Sequence, residues 1–496
     1  MKSIYTANIK TLLFFFFMAM PFTLYAVPTD VSAEKQTFSI KALQDDFSQL
    51  YRDLQLAHYN VYANLSKPIY DRAFEAYFRG IDKPMTAIQA QVYFQQFVAL
   101  GDIAHANIDL PIQDFIAYRS NGGKALPLYI KIDDNCVWVD KFFGEEQGIE
   151  RFTAIHAING KPMTEWLEQL SRFISADNDR LTNTLIERLF PLLLWLDDAD
   201  SDNFQLTLGN ESTPTVITVK TITSEEQSLA IEKQPSADII NSDSREAKML
   251  ENSIAYLRPG PFYNNEPNTK NIWDNTAFTD FIDNAFDDFN QNGAQALIVD
   301  LRSNPGGTNS FSDHLIAWFA TEPFKFASRF EVKVSPQAEK ANAERLKLSV
   351  DDTDVSHQLA NFYHQSKSGE VFTFDLPLSQ PHGDKQFKAP VYILVNRYSY
   401  SNAVSVAAIV QDYGFGKIIG EKTADLATTF GAMEKFKLSN TAIEVGFPKA
   451  LIIRPNGDES PDGVTPDYVI PMPFGLDSEV KQLEQAVDLI LIQLED

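Results

Sequence analysis

Apolar positions recur at helical spacing from Phe38 to about Ala106. In "SIKALQDDFSQLYRDLQLAHYNVY" the residues Leu43, Phe47, Leu50, Tyr51 and Leu54 fall on one face. "RAFEAYFRGI" and "TAIQAQVYFQQFVAL" repeat the pattern, the latter with Thr86 as a candidate N-cap. This stretch predicts a small helical bundle that gives way to a loop at "LGDIAHANIDLP". From Pro127 to roughly Arg245 the period shortens to two. "LPLYIKIDDNCVWVDKFF" alternates about an Asp-Asn turn, and "NFQLTLGNESTPTVITVKTI" predicts a second hairpin. Between them "FTAIHAINGKPMTEWLEQLSRFI" predicts a strand, a turn at Asn159 and Gly160, and a helix, with a further helical stretch to about Leu196. Thr223 to Glu246 is polar and predicts a linker. From Ser253 onward strands alternate with helices: "SIAYLRPGPF", a helix over Phe278 to Asn290, "ALIVDLR", and a helix after Asn309. A long excursion to about Phe387 precedes "PVYILVN", the helix "NAVSVAAIVQDYG" and "KIIGEKT". Such alternation indicates an α/β domain with a largely parallel sheet. No internal repeat or low-complexity run interrupts it.

At 496 residues the chain exceeds one ordinary core, so about two to four domains are expected. Hydrophobic residues at 44% and charged residues at 22% are ordinary for a folded soluble protein. Phenylalanine is plentiful at 37, which predicts large aromatic cores or an apolar groove. A formal net charge of −25 argues against a nucleic-acid partner, whose phosphates demand Lys and Arg, and chiefly serves solubility. The N-terminus is more specific. In "MKSIYTANIKTLLFFFFMAMPFTLYA" Lys2 and Lys10 precede an apolar run from Leu12 to Leu24, and Ala26 follows. These are the parts of a secretory signal peptide over residues 1–26. The run falls short of the ~20 residues that span a bilayer, although an uncleaved anchor is the alternative. Export to the periplasm, cell envelope or exterior is therefore expected, with no transmembrane segment left after signal removal. A lone cysteine, Cys136, rules out an internal disulfide and is expected as a small packed hydrophobe in its strand.

Two strand-to-helix junctions carry the candidate chemistry. In "ALIVDLRSNPGGTNSF" an apolar strand ends in Asp300 and Arg302 and drops into Gly306 and Gly307. Without Cβ atoms these glycines let the backbone turn sharply and aim N–H groups at developing negative charge; alternatively, Pro-Gly-Gly is only a tight turn. In "PVYILVNRYSYSNAVSVAAIVQDYG" the strand runs into Ser401 just before a helix. That serine is either an N-cap or a nucleophile facing its own helix amides. A nucleophilic serine needs a base, and none stands near it in sequence, so the partner must come from a distant segment. The histidines to consider are His105, His156 and His314. No His-x-x-x-His, cysteine pair, acidic calcium loop or phosphate-binding glycine loop occurs, so no metal or cofactor is expected.

Taken together, "DLRSNPGG", "VNRYSYSNAVSVAA...QDYGFGKIIGEKT" and "PDGVTPDYVI" resemble the C-terminal processing and tricorn-like serine peptidase family, over about residues 250–475. "FTAIHAINGKPM" is similar to the Asn-Gly signature of that family's PDZ-like domain, and "GDIAHANI" to an Asp-x-His element of its tricorn-like branch. With the signal peptide (1–26) and helical N-terminal domain (27–120) read above, the resemblance implies a PDZ-like α+β domain (121–245) and a crotonase-like, ClpP-related α/β catalytic domain (246–496). It implies Ser401 as nucleophile and His105 as base. Gly306, Gly307 and either Ser401 or Asn402 would form the oxyanion hole, and Glu459, one residue off the family position, would be the acid. Asp300, Arg302 and Asp412 would give structural support. The processing branch has a lysine 25 residues after its serine; here that position is Leu426, which removes a Ser–Lys mechanism, and Lys422 is a weak substitute. The tricorn-like branch sets a hydroxyl residue before its histidine, where this chain has Ala104. The expected function is an exported serine peptidase acting on protein or peptide. The alternative is an inactive peptidase fold that serves as a binding or scaffold protein. Oligomeric state is not legible.

Overall fold

The computed structural model describes residues 37–133, 136–197, 201–233, 243–267, 269, 271–347 and 354–495. The expected signal peptide, the leader after it and the Asp134-Asn135 turn lie outside the described residues.

The largest assembly is a six-stranded sheet. Its strands run in the order Tyr468–Val469, Lys417–Gly420, Val391–Val395, Ala296–Asp300, Ile254–Arg258 and Glu246–Met249. All pairs are parallel except the last, which is antiparallel. Side chains alternate between two cores. Ala255, Leu257, Leu297, Val299, Ile393 and Val395 face the helices Thr276–Gln291, Asn309–Ala317 and Asn402–Tyr413. Tyr256, Ile298, Tyr392, Leu394 and Ile419 face the opposite way, against Ala486 and Ile490 of the Ser478–Glu495 helix. Burial on both faces explains why these strands read as unbroken apolar runs. Each buried Leu, Ile or Val among them contributes about 1.5–3 kcal/mol on leaving water.

The expected N-terminal bundle does not close a core by itself. The helices Ile40–Ala57, Lys67–Gly80 and Ala87–Ala99 share one core with an antiparallel sheet of Val371–Thr373, Arg329–Lys333, Glu444–Ile453 and Thr429–Lys437. Phe47 packs among Phe74, Phe94 and Phe97, while Val332, Val445 and Phe447 close the far side. Fully buried Asp46 fastens the layers by accepting the N–H groups of Asn440 and Thr441 at 2.9 and 2.7 Å. The long excursion supplies part of this layer, with helices Pro336–Lys347 and Asp354–Gln365 between its strands.

The middle region holds the sheet Leu128–Asp133, Cys136–Phe142, Ala154–Ile158, Asn203–Leu208 and Thr215–Lys220, packed on helices Met163–Ser171 and Asp179–Asp197. Ala104, Tyr400 and Ala424 enter the same core, so this region wedges against the chain around Ser401. Two expectations are corrected here. Part of the expected linker is a helix, Ser224–Glu232, started by a capping box between Thr223 and Glu226, and Glu246 already belongs to the large sheet. Cys136 is exposed rather than packed, as the first residue of its strand. Among the described residues no helix is long and apolar enough to cross a membrane.

Candidate active site

The first junction is built on a buried ion cluster. Asp300 accepts hydrogen bonds from Tyr256 Oη at 2.8 Å, Arg258 Nη2 at 2.7 Å and Arg302 Nη2 at 2.6 Å. Burial alone would raise its pKa, but the two guanidiniums outweigh that and hold the carboxyl well below its ordinary range. Arg302 also reaches the Glu479 carbonyl, which ties the loop to the C-terminal helix. Beyond it Asn304 organises the turn. Its side chain donates to the Gly260 carbonyl at 2.8 Å and accepts the Gly306 N–H at 2.9 Å. Gly306 and Gly307 adopt φ of 85° and 139°. A Cβ on Gly306 would lie 2.6 Å from Asn402 N, and one on Gly307 would lie 2.2 Å from the Phe262 carbonyl oxygen. Only glycine fits either place. The exposed Gly307 N–H has no acceptor among the described residues, and the same holds for the Asn402 N–H. Gly306 was expected as a third donor, but its N–H is already spent on Asn304.

The second junction places Ser401 at φ 53°, ψ −123°, in a left-handed region unusual for a non-glycine residue. It occupies the N-cap position of the Asn402–Tyr413 helix, yet its hydroxyl makes no capping bond. Its backbone N–H donates instead to Asp425 Oδ2 at 2.5 Å, so this amide is not open to a ligand. The hydroxyl lies 3.4 Å from His105 Nε2. His105 sits on the loop after the Ala87–Ala99 helix, which is held by reciprocal bonds between Asn107 and Gly446. Gln95 steadies the loop further by accepting the Ile108 N–H. The imidazole stacks on Tyr400 with ring centroids 5.2 Å apart. Burial lowers its pKa, partly offset by the Asp177 carboxylate, so the ring is neutral and able to accept a proton.

Sequence reasoning missed two carboxylates. A ring nitrogen of His105 and oxygens of Asp177 and Asp425 all lie within 4.8 Å of one another. Asp177 comes from the middle region and accepts the Ala104 N–H at 3.2 Å. Its pKa is pushed up to about 6 by burial and by neighbouring Asp425, with His105 opposing. Burial pushes Asp425 up to about 7, against the N–H groups of Ser401 and Leu426 that favour its charge. Asp425 stands directly before the Leu426 position that the family comparison singled out, and that is the one sequence signal that pointed near it.

Residues 254–470 match the family described as peptidase family S41. The chain carries an S41 peptidase domain. Across the whole fold it is similar to the crystal structure of mature CPAF, at 16% identity and a TM-score of 0.61, over 92% of this chain and 98% of that one. It is similar also to mature CPAF complexed with lactacystin, at 15% identity and a TM-score of 0.59, over 92% and 99%. At such identities the likeness is one of fold. S41 is a serine-peptidase family, so the matched domain is of the serine-peptidase type.

The S41 domain brings Gly307, Ser401, Asn402 and Asp425 together, and the front of the chain supplies His105. Glu459 stands apart: its side chain is largely exposed and pairs with Arg329 at 3.0 Å, so it is corrected from acid to surface ion pair. Asp412 accepts Arg454 Nη2 at 2.6 Å and holds the turn at Asn456, a purely supporting part. His314 bonds Asp283, His156 bonds the Gly209 carbonyl and Lys422 bonds Asp462, so each of these is occupied elsewhere.

Proposed function

We propose that the chain hydrolyses peptide bonds through an acyl-enzyme on Ser401, with His105 as the base. One observation carries this reading: the His105 ring and the Ser401 hydroxyl meet at 3.4 Å although 296 residues separate them. The distance is at the loose end for such a pair, as is common before substrate tightens it. As Ser401 Oγ attacks the carbonyl, Nε2 takes its proton, and the Gly307 and Asn402 N–H groups receive the oxyanion. His105 then returns the proton to the leaving amine, and water repeats the sequence to free the acyl group. The Asp177 carboxylate favours the imidazolium that forms between these steps. The pairing supports the tricorn-like reading, with Asp177 and Asp425 rather than Glu459 as the acids beside the histidine.

The signal-like N-terminus supports an exported peptidase of the cell envelope or its surroundings. A fluorophosphonate probe should label Ser401, and Ser401→Ala should abolish labelling and hydrolysis while leaving the unfolding transition in place. Hydrolysis at the parental rate in that variant would refute the proposal and favour a binding role for the fold.

A further inference from the structure

A second cluster of titratable side chains lies on the helical side of the large sheet, remote in sequence from the serine. Asp283 belongs to the Thr276–Gln291 helix, His314 to the Asn309–Ala317 helix, and His382 to the loop before the Val391–Val395 strand. His314 Nε2 is 2.6 Å from Asp283 Oδ1, and His382 Nε2 is 3.9 Å from the same oxygen. One ligand atom from each of the three residues fits within 4.8 Å. We propose that they bind a divalent transition-metal cation of the zinc type.

Two imidazoles and a carboxylate are the donor set such ions prefer, and three protein ligands leave a position for water. A tetrahedral zinc site sets its ligand atoms about 3.3 Å apart. The 2.6 Å pair must therefore open slightly and the 3.9 Å pair close by a similar amount. All three side chains are partly exposed, so small rotations achieve this. The surroundings are already arranged. Trp318 Nε1 donates to the same Asp283 Oδ1 at 2.9 Å, which fixes the orientation of the carboxylate. The His382 ring stacks on Trp318 at 4.3 Å, and its backbone N–H donates to the Ala317 carbonyl at 2.8 Å. An ion pair between Asp283 and His314 would account for two of these residues but not for the second imidazole turned toward them.

A separate observation points the same way. The histidines open onto a cleft of about 540 Å³, whose wall includes Asp313, Ser379 and Gly383. Asp313 is half-buried, and its Oδ2 accepts Ser379 Oγ at 3.0 Å and Asn309 Nδ2 at 3.3 Å. Its Oδ1 has no partner among the described residues. A buried carboxylate oxygen left open at a cleft containing two imidazoles is what a cation or its bound water would satisfy. The ligands come from three segments, so no sequence spacing could reveal them. Bound there, the ion would staple the 379–383 strap to the helix that follows the glycine loop. The inference stands whether or not Ser401 hydrolyses peptides.

The test uses the full chain after chelator treatment, titrated with Zn²⁺ by calorimetry and with Co²⁺ by visible absorption. One equivalent should bind, with tetrahedral Co²⁺ bands, and the unfolding temperature should rise with Zn²⁺. His382→Gln and Asp283→Asn should each weaken binding at least about tenfold, while His105→Gln, which dismantles the cluster beside Ser401, should not. The proposal is overturned if no Zn²⁺ binds at about 1 mM, if His382→Gln binds like the parent, or if His105→Gln is the variant that loses binding.

Discussion

Replacing Gly306 by alanine isolates the claim that the glycine loop and the serine turn are fitted to each other. The backbone there has φ 85°, and the new Cβ would lie 2.6 Å from Asn402 N, 2.7 Å from the Tyr400 carbonyl oxygen and 2.9 Å from Ser401 Cβ. Two of those atoms are backbone, so relief requires the serine turn to retreat by something approaching 1 Å. Left-handed backbone costs an alanine about 1–2 kcal/mol, and displacement of a nucleophile by about 1 Å costs about 100-fold in rate. Gly414, at the far end of the helix that Ser401 begins, is the matched control. It has φ 70°, but a Cβ there meets nothing within 4 Å. Gly414→Ala should therefore lose about 1–2 kcal/mol in urea denaturation with kcat/KM unchanged. Gly306→Ala should lose at least as much stability and about 100-fold in kcat/KM and in fluorophosphonate labelling. If both variants keep hydrolysis within a factor of about two of each other, the close fit of loop and turn is not what positions the nucleophile.

His105→Gln should lower kcat by at least about 100-fold while leaving the KM for a peptide substrate nearly unchanged; a rise in KM alone would assign the ring to binding. The raised pKa of Asp177, about 6 against an ordinary 3.8, means the folded state disfavours its ionised form. Its contribution to stability is full below about pH 4 and is lost as pH rises through 6, by up to about 3 kcal/mol. Asp177→Asn should therefore lose less stability than the parent between those limits in parallel urea melts, and equal losses would refute the shift. Arg397 joins Asp133 and Glu187 of the middle region to Glu421 of the S41 domain, at 2.9–3.3 Å. Arg397→Met leaves two buried carboxylates without their cation and should cost about 3–5 kcal/mol. A loss below about 1 kcal/mol would show that the charges relax into water.

The parallel sheet was legible because its strands are buried on both faces and its helices keep a clean period. The two junctions were legible only in combination: a tight turn would explain Gly306 and Gly307, and an N-cap would explain Ser401, until the three motifs are seen in one order. Other features depended on contacts that no local pattern encodes. The N-terminal helices show an apolar stripe, but nothing in "SIKALQDDFSQLYRDLQLA" says that the stripe covers a sheet drawn from Arg329 to Ile453. Asp177 and Asp425 look like loop acids until burial beside His105 changes their chemistry. Glu459 lies one step from a family position, yet Arg329 claims it at the surface. Gly306 was rightly singled out as a glycine, but its amide could not be assigned before Asn304 was seen to hold it.

The Ser401 neighbourhood draws on three stretches of chain that share no short-range connection: the loop of His105, the turn of Asp177 and the rear strand ends. If Ser401 cleaves peptides as proposed, a molecule caught halfway through folding owns the hydroxyl but lacks the imidazole, and is harmless to its own unfolded segments. Activity in a refolding time course should then emerge with the last region to dock, so that completion of the architecture is itself the safety catch.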